Sequence, residues 1–344
     1  MNINFLKTLL ATQSPSSAEQ EMAETVREYA KDFCETETDV MGNLYLHIGN
    51  PEVRRVMITA HCDEVGFQIV HIDDNGLAYI RKVGGIDRQT LLGTSVAVMG
   101  RNGKVHGVFG KKSPHLQTEK DKGATPEFED MWIDMGFTSR QEALEHVAIG
   151  DFATAVAPTQ LLNEGRRITG KALDNKVGVY VMIEAMRELT SKPLPFSLTA
   201  VCTTQEEIGS RGAIVAVNRI QPNCLFCLDV GTATDIPSVK KQARGDVRLG
   251  RGPLLYRNAD NNPYLLRTMI EVAEHEEIPY QIGVGSKISG GTETSHVQTL
   301  GRGIATVNIS IPNRYMHSAV EMCDMNDVEN TIRLLTATLR QLKK

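Results

Sequence analysis

Aromatic side chains are scarce in this chain: they make up 5 % of its 344 residues, with a single tryptophan. Sugar-binding grooves rely on stacking aromatics, so the shortage weighs against a polysaccharide substrate. Cysteine is also sparse. Cys34, Cys62, Cys202, Cys224, Cys227 and Cys323 lie mostly in apolar contexts, and free thiols in a reducing cytoplasm are the simplest reading. No apolar run approaches the ~20 residues of a membrane span, and Lys7 interrupts the short apolar stretch near the start, so that stretch does not read as a secretory leader. There is no basic block. Lys and Arg number 37 against 42 Asp and Glu, for a net charge of −5, which argues against a nucleic-acid partner and against an anionic membrane surface. What remains is an ordinary globular composition, 41 % hydrophobic and 23 % charged, in a chain long enough for two domains.

Periodicity divides the chain. Residues 1–64 read as helix, helix, strand, strand. Ser16 or Ser17 can cap a helix whose apolar stripe is Met22, Val26, Tyr29 and Phe33. VMGNLYLHIG and VRRVMITAHCDE give two strands, the second a buried run from Val56 to Ala60 that ends on His61. Residues 65–165 differ. Val65, Phe67, Ile69 and His71 alternate up to the turn Asp73-Asp74-Asn75-Gly76, and SVAVMG and KVHGVFG flank Arg101-Asn102-Gly103, a hairpin pattern. Apart from Ser139 to His146, helical patterns are few here. This segment reads as a β-rich module inserted into an α/β chain, with SPHLQTEKDKGATPEFED as an exposed loop. From about 166 the α/β alternation resumes: helix 177–189, strand 196–203, a helix after Gly209, strand 224–228, helix 264–275, a strand near Tyr280, a helix after Gly291, strand 304–309, and a last helix from Asn326. Such alternation predicts an α/β fold, a parallel or mixed sheet flanked by helices.

Seven side chains recur where apolar runs give way to polar, glycine-containing turns, the positions at which strand ends present side chains at the rim of an α/β sheet. They are His61 and Asp63 in AHCDEVG, Asp174 in KALDNKVG, Glu206 and Glu207 in TTQEEIGSRGA, Asp229 in CLDVG, and His317 in RYMHS. Each admits a plainer reading alone. Asp174 can cap a helix, the glutamates can be a solvated loop pair, and His317 can be an ordinary histidine. Two adjacent carboxylates nevertheless repel unless a cation or shared proton compensates, and a carboxylate ending an apolar strand needs a partner. Taken together, two histidines and several carboxylates suit a borderline-soft divalent metal, and one extra glutamate suits a metal-assisted hydrolase that needs a base. Cys224 and Cys227, three apart on an apparent strand, point to opposite faces and read as core cysteines rather than a redox pair.

These motifs, with SGGTETS and IPNRYMHS, span nearly the whole chain and resemble the cocatalytic metallo-aminopeptidases of the tetrahedral, glutamyl and deblocking aminopeptidase family, some of which carry the older label cellulase or endoglucanase M. The resemblance implies that Asp174 bridges two metals, zinc or cobalt with manganese as a third choice. His61 and Asp229 would complete one metal, and Glu207 and His317 the other. Glu206 would be the general base, and Asp63 would support His61. It implies a catalytic domain of residues 1–64 and 166–344, an inserted β-rich dimerisation domain of 65–165, short peptides as substrates, and assembly from dimers up to a dodecamer. The hairpin's Val96, Val98, Met99, Val108 and Phe109 offer more apolar surface than a small β module would hide alone, as an interface would. Glu293 departs from the Asp expected in many relatives, so contacts to substrate there are expected to differ, and His115 lies in a stretch that is hard to align. GVGSKISGG lacks the spacing of a dinucleotide fingerprint, and its glycines read as a turn. The competing activities are a dipeptidase or N-acyl amino acid deacylase on the same metal core, an endoglucanase-type glycosidase, and a non-catalytic peptide binder.

Overall fold

Continuous apolar runs decide the centre of the molecule. The structure, a computed structural model, describes residues 1–49, 54–119, 121, 123–285 and 287–342. The chain opens with α1 (Ile3–Ala11), capped by the Asn2 side chain, which accepts the Phe5 N–H. Next comes α2 (Gln20–Ala30), which buries Met22, Ala23, Val26 and Ala30. Neither Ser16 nor Ser17 caps α2. Its N-cap is Glu19, and the Ser16 hydroxyl instead donates to Asp63 Oδ2 at 2.6 Å. Strands β1 (Glu35–Thr38), β2 (Leu44–Ile48) and β3 (Arg55–His61) follow. Val40 to Gly42, read as the start of a strand, form the turn between β1 and β2, and Val53 lies outside the described residues.

The chain then leaves the main sheet to build a closed six-stranded antiparallel barrel. Its strands are β4 (Gly66–Ile72), β5 (Ala78–Val83), β6 (Ser95–Gly100), β7 (Gly103–Phe109), β8 (Trp132–Asp134) and β9 (Phe152–Ala155), closed in the order β4-β5-β8-β7-β6-β9. Helix α3 (Arg140–His146) is capped by Ser139. Full closure removes the exposed edges that isolated hairpins leave. The barrel has its own core, in which Phe67 and Phe109 meet edge-on with ring centroids 4.7 Å apart. Val96, Val98 and Phe109 are buried in that core, so the apolar hairpin residues mostly face inward, while Val108 remains 46 % exposed. The 113–130 loop carries two short 3-10 turns and is largely exposed; Lys120 and Lys122 within it lie outside the described residues. His115, on the first of these turns, is exposed.

The chain returns to the main sheet with β10 (Gln160–Leu162), β11 (Arg167–Gly170), α4 (Leu173–Leu189), β12 (Ser197–Thr203), α5 (Arg211–Ile220), β13 (Cys224–Thr232), α6 (Lys241–Arg244), β14 (Leu254–Tyr256), α7 (Pro263–His275), β15 (Gln281–Gly283), α8 (Glu293–Val297), β16 (Ala305–Arg314), β17 (Glu321–Asp324) and α9 (Met325–Gln341). Strand β10, inside the span read as the insertion, pairs with β11 in this sheet. Among the described residues the sheet has eleven strands, nine of them in the order β1-β2-β12-β3-β13-β16-β17-β11-β10, with β14 and β15 beside β16. The centre, β12-β3-β13-β16, is parallel. Every residue of β12 is buried, as parallel strands covered on both faces must be. One face packs on α1, α2, α4, α7 and α9, and the other on α5 and α8. Cys224 joins the first face and Cys227 the second, the opposition expected of residues three apart on a strand. Helix α4 is buried almost all round between sheet and α9, so it shows little amphipathic stripe. The fold is mixed α/β with a barrel module. No described helix is long and apolar enough to cross a membrane.

Candidate metal centre

The parallel strands all end on one rim, and the polar turns that follow them converge there. His61 is the last residue of β3, and its Nε2 lies 3.1 Å from Asp174 Oδ1 and 3.7 Å from Asp229 Oδ1. Asp174 comes from the first turn of α4, where its φ/ψ of −77°/105° departs from helix. Asp229 lies inside β13, three residues before its end rather than at it, and its Oδ1 accepts the Val230 N–H at 2.8 Å. His317, three residues past β16, places Nε2 3.2 Å from Asp174 Oδ2 and 3.2 Å from Glu207 Oε1. Two triads result, His61-Asp174-Asp229 and Asp174-Glu207-His317. Within each, the candidate ligand atoms lie within 4.8 Å of one another. Asp174 belongs to both.

Asp63 supports His61 less directly than expected. The imidazole Nδ1 lies 3.1 Å from the Asp63 main-chain oxygen and 3.4 Å from its carboxylate Oδ1. The carboxylate itself accepts the Glu206 N–H at 2.9 Å and the Glu207 N–H at 3.1 Å, plus the Ser16 hydroxyl. Asp63 therefore holds the turn that carries both glutamates. That turn starts at Gln205 in a left-handed conformation, φ 58°, and its N–H reaches Glu19 Oε1. Glu206 accepts the Ser210 hydroxyl at 3.1 Å.

The electrostatics test whether divalent ions fit. Asp174 Oδ1 and Glu207 Oε1 are buried, and among the described residues they face no donor but the His61 and His317 rings, 3.1 and 3.2 Å away, so they need a protonated imidazole or a cation to offset their burial. Burial works against charging His61, yet Asp174, Asp229 and Asp63 together outweigh it and push the imidazole well above its ordinary value. His317 is pushed up to about 11: burial opposes, but Asp174 and Glu207 prevail. Burial opposes ionisation of Asp174 too, but His317 and His61 hold it below the usual carboxylate range. Glu206 is raised well above its ordinary value, first by burial; His61 works against this, while Asp229, Glu207 and Asp63 add to it. Burial also raises Glu207 and Asp229. The cluster calls for positive charge, which histidine protons supply in part and two divalent cations would supply in full. The donor set, imidazole nitrogens with carboxylate oxygens, suits zinc, cobalt or manganese.

These groups floor a cavity of about 570 Å³. Its walls include the strip Val230 to Thr234, Tyr256, Val284, Gly290, Gly291 and Met316, so the glycines of the 283–291 stretch shape a binding wall. Glu293 is not part of the wall. It is buried and takes the Thr203 hydroxyl, while its neighbours Thr292 and Thr294 line the cavity. His115 is not part of the wall either. Sequence reasoning missed Ser16, Ser210 and Glu321. It also missed Gly84 and Gly85, at the end of β5, where a Cβ would come within 3.2 Å of Glu207 Cβ and 3.4 Å of His317 Nδ1 respectively. The barrel thus contributes a loop to the catalytic rim.

A parallel-centred sheet that gathers histidines and carboxylates at its rim is an arrangement able to hold the metal ions of a hydrolase. The chain belongs to the M42 glutamyl aminopeptidase family, whose pattern matches residues 42–334. The chain is 35 % identical to a lysyl aminopeptidase of Pyrococcus furiosus over 317 residues, covering 90 % of this chain and 88 % of that one. Its fold superposes with a TM-score of 0.94 on a TET aminopeptidase from a marine-sediment thaumarchaeote, 32 % identical, covering 99 % of this chain and 96 % of that one. It also superposes on a Pyrococcus horikoshii TET1 peptidase able to assemble into a tetrahedron or a large octahedral shell, with a TM-score of 0.90, 34 % identity and 99 % of each chain covered. The chain is an aminopeptidase.

Proposed function

We propose that this aminopeptidase is dinuclear and trims short peptides one residue at a time. The observation that carries the reading is Asp174, a buried carboxylate with one oxygen toward His61 and the other toward His317. His61 and Asp229 would hold one ion, Glu207 and His317 the other, and Asp174 both. Bound there, two ions of zinc, cobalt or manganese would supply Lewis acidity and lower the pKa of a shared water. Glu206 is the proton carrier. Standing on the turn beside the proposed ligands, with the Ser210 hydroxyl on its carboxylate, it is placed to accept a proton from the attacking water and return it to the leaving amine nitrogen. Asp63 keeps Glu206 and Glu207 in register through their backbone N–H groups. The free α-amino group of a substrate finds neighbouring carboxylates in the cavity floor, and this favours an N-terminal amine over an acylated one.

We assign catalysis to residues 1–64 and 166–344, and assembly to the inserted β-rich residues 65–165. We take the assembly to be a homo-oligomer built from dimers; the TET relatives, one of them a dodecamer, support the homo-oligomer. Six free cysteines suit a reducing cytoplasm. The test is metal content: the folded protein should carry two divalent ions per chain, chelator should abolish turnover, and Asp174→Ala should lose both ions. Full activity in protein free of transition metal defeats the reading.

A further inference from the structure

Glu321 opens β17 and is 1 % exposed. Its Oε2 accepts the Asp174 backbone N–H at 2.7 Å and Asn313 Nδ2 at 3.1 Å, and its Oε1 accepts the His317 backbone N–H at 2.9 Å. A carboxylate buried this deeply is costly and persists only where several donors satisfy it. Here two of the three donors belong to Asp174 and His317, which meet across the same site from distant parts of the chain. Both have unusual backbones: Asp174 is non-helical inside the first turn of a helix, and His317 has a φ of 61°. The left-handed conformation of His317 is uncommon for a residue other than glycine and holds where its surroundings impose it. The Glu321 carboxylate takes a backbone N–H from each of the two residues.

We propose that Glu321 is the positioning residue of the second metal position, fixing Asp174 and His317 at one spacing by accepting both of their backbone N–H groups. The inference rests on the two-metal reading above. Glu321 touches neither substrate nor ion; it acts through the two ligands. A merely structural tie between β17 and α4 would lower stability and leave metal affinity alone. A positioning role lowers metal affinity, most at the position that uses both Asp174 and His317, because outer groups that orient ligands typically contribute ~10–100-fold to metal binding.

The experiment titrates Co(II) into the chelator-stripped full-length protein, following stoichiometry by calorimetry and ligand geometry by visible absorption. Glu321→Gln keeps the size but turns one acceptor into a donor facing an N–H. It should retain the tighter ion and bind the second ~10–100-fold more weakly, with an altered cobalt spectrum. His317→Ala serves as the reference and should weaken the same second ion. If His317→Ala binds both ions like the parent, the two-metal reading fails and this inference fails with it. If His317→Ala loses the second ion while Glu321→Gln keeps both at parental affinity, only the positioning role is overturned. Should Glu321→Gln not fold, Asn313→Ala decides. It removes one donor to the same carboxylate and should weaken the second ion several-fold, and unchanged two-site binding in it overturns the proposal.

Discussion

Glu206 and Glu207 are neighbours on one turn, yet their surroundings divide their chemistry. Glu207 aims an oxygen at His317, whereas Glu206, among the described residues, has only the Ser210 hydroxyl as a side-chain hydrogen-bond partner. Glu206→Gln should therefore keep both ions and the fold while turnover falls ~10²–10⁴-fold. Glu207→Gln should instead weaken the ion at His317. Activity assays on metal-saturated protein, set beside metal titrations, separate the two, and the reverse pattern would exchange their roles. The residues that meet at the rim were legible as a set because strands end where polarity begins. The turn that Asp63 holds was not legible, since its partners are backbone N–H groups 143 and 144 residues away. Glu321 carries a sequence cue only in hindsight: a lone carboxylate four residues after His317, at the start of the apolar strand residues of VEMCD. Nothing local distinguishes it from a surface glutamate.

Two buried carboxylates bind elements together and titrate in opposite senses. Asp327, in the first turn of α9, accepts the Gly250 N–H at 2.7 Å and the Gly252 N–H at 2.6 Å. Burial nevertheless outweighs those bonds and pushes it from 3.8 up to about 7. A folded-state value above the unfolded one stabilises fully below pH 3.8 and loses that contribution as pH rises through about 7. Glu64 ties the loop after β3 to Lys171 and Lys176, at 2.6 and 2.8 Å. Burial works against its ionisation, but the two lysines hold it down at about 2 from 4.5. Its contribution is present above pH 4.5 and is lost as pH falls through about 2. Denaturant midpoints measured from pH 3 to 8 should decline on the alkaline side, and Asp327→Asn should flatten that limb at a cost of about 1–3 kcal/mol for the N–H left facing an amide. A limb unchanged in the variant would assign the decline elsewhere. Elements with strong periodicity were legible, as β4, the β6–β7 hairpin, α7 and α9 show. The cap of α2 was not, because Ser16 is drawn to Asp63, a partner from another part of the chain. Nor was the inward turn of Val96 and Val98, because barrel closure depends on strands far apart in sequence.

At the scale of the whole molecule, the barrel and the sheet share one rim, where Gly84 and Gly85 approach Glu207 and His317. A loop of the barrel thus stands against two of the proposed metal ligands. Light scattering at micromolar concentration should give a mass several times 37.9 kDa; a monomer would end the assembly proposal, and a stable dimer would end only its dodecameric part. The central claim is metal-dependent removal of N-terminal residues, and one measurement meets it most directly. Metal-loaded protein is incubated with a short peptide and with its N-acetylated twin, with and without chelator, and the products are followed by mass spectrometry over time. The account predicts a ladder that shortens from the N-terminus one residue at a time, slow or absent cleavage of the acetylated twin, and arrest by chelator. Internal cleavage as the main product, or equal cutting of both peptides, would contradict it.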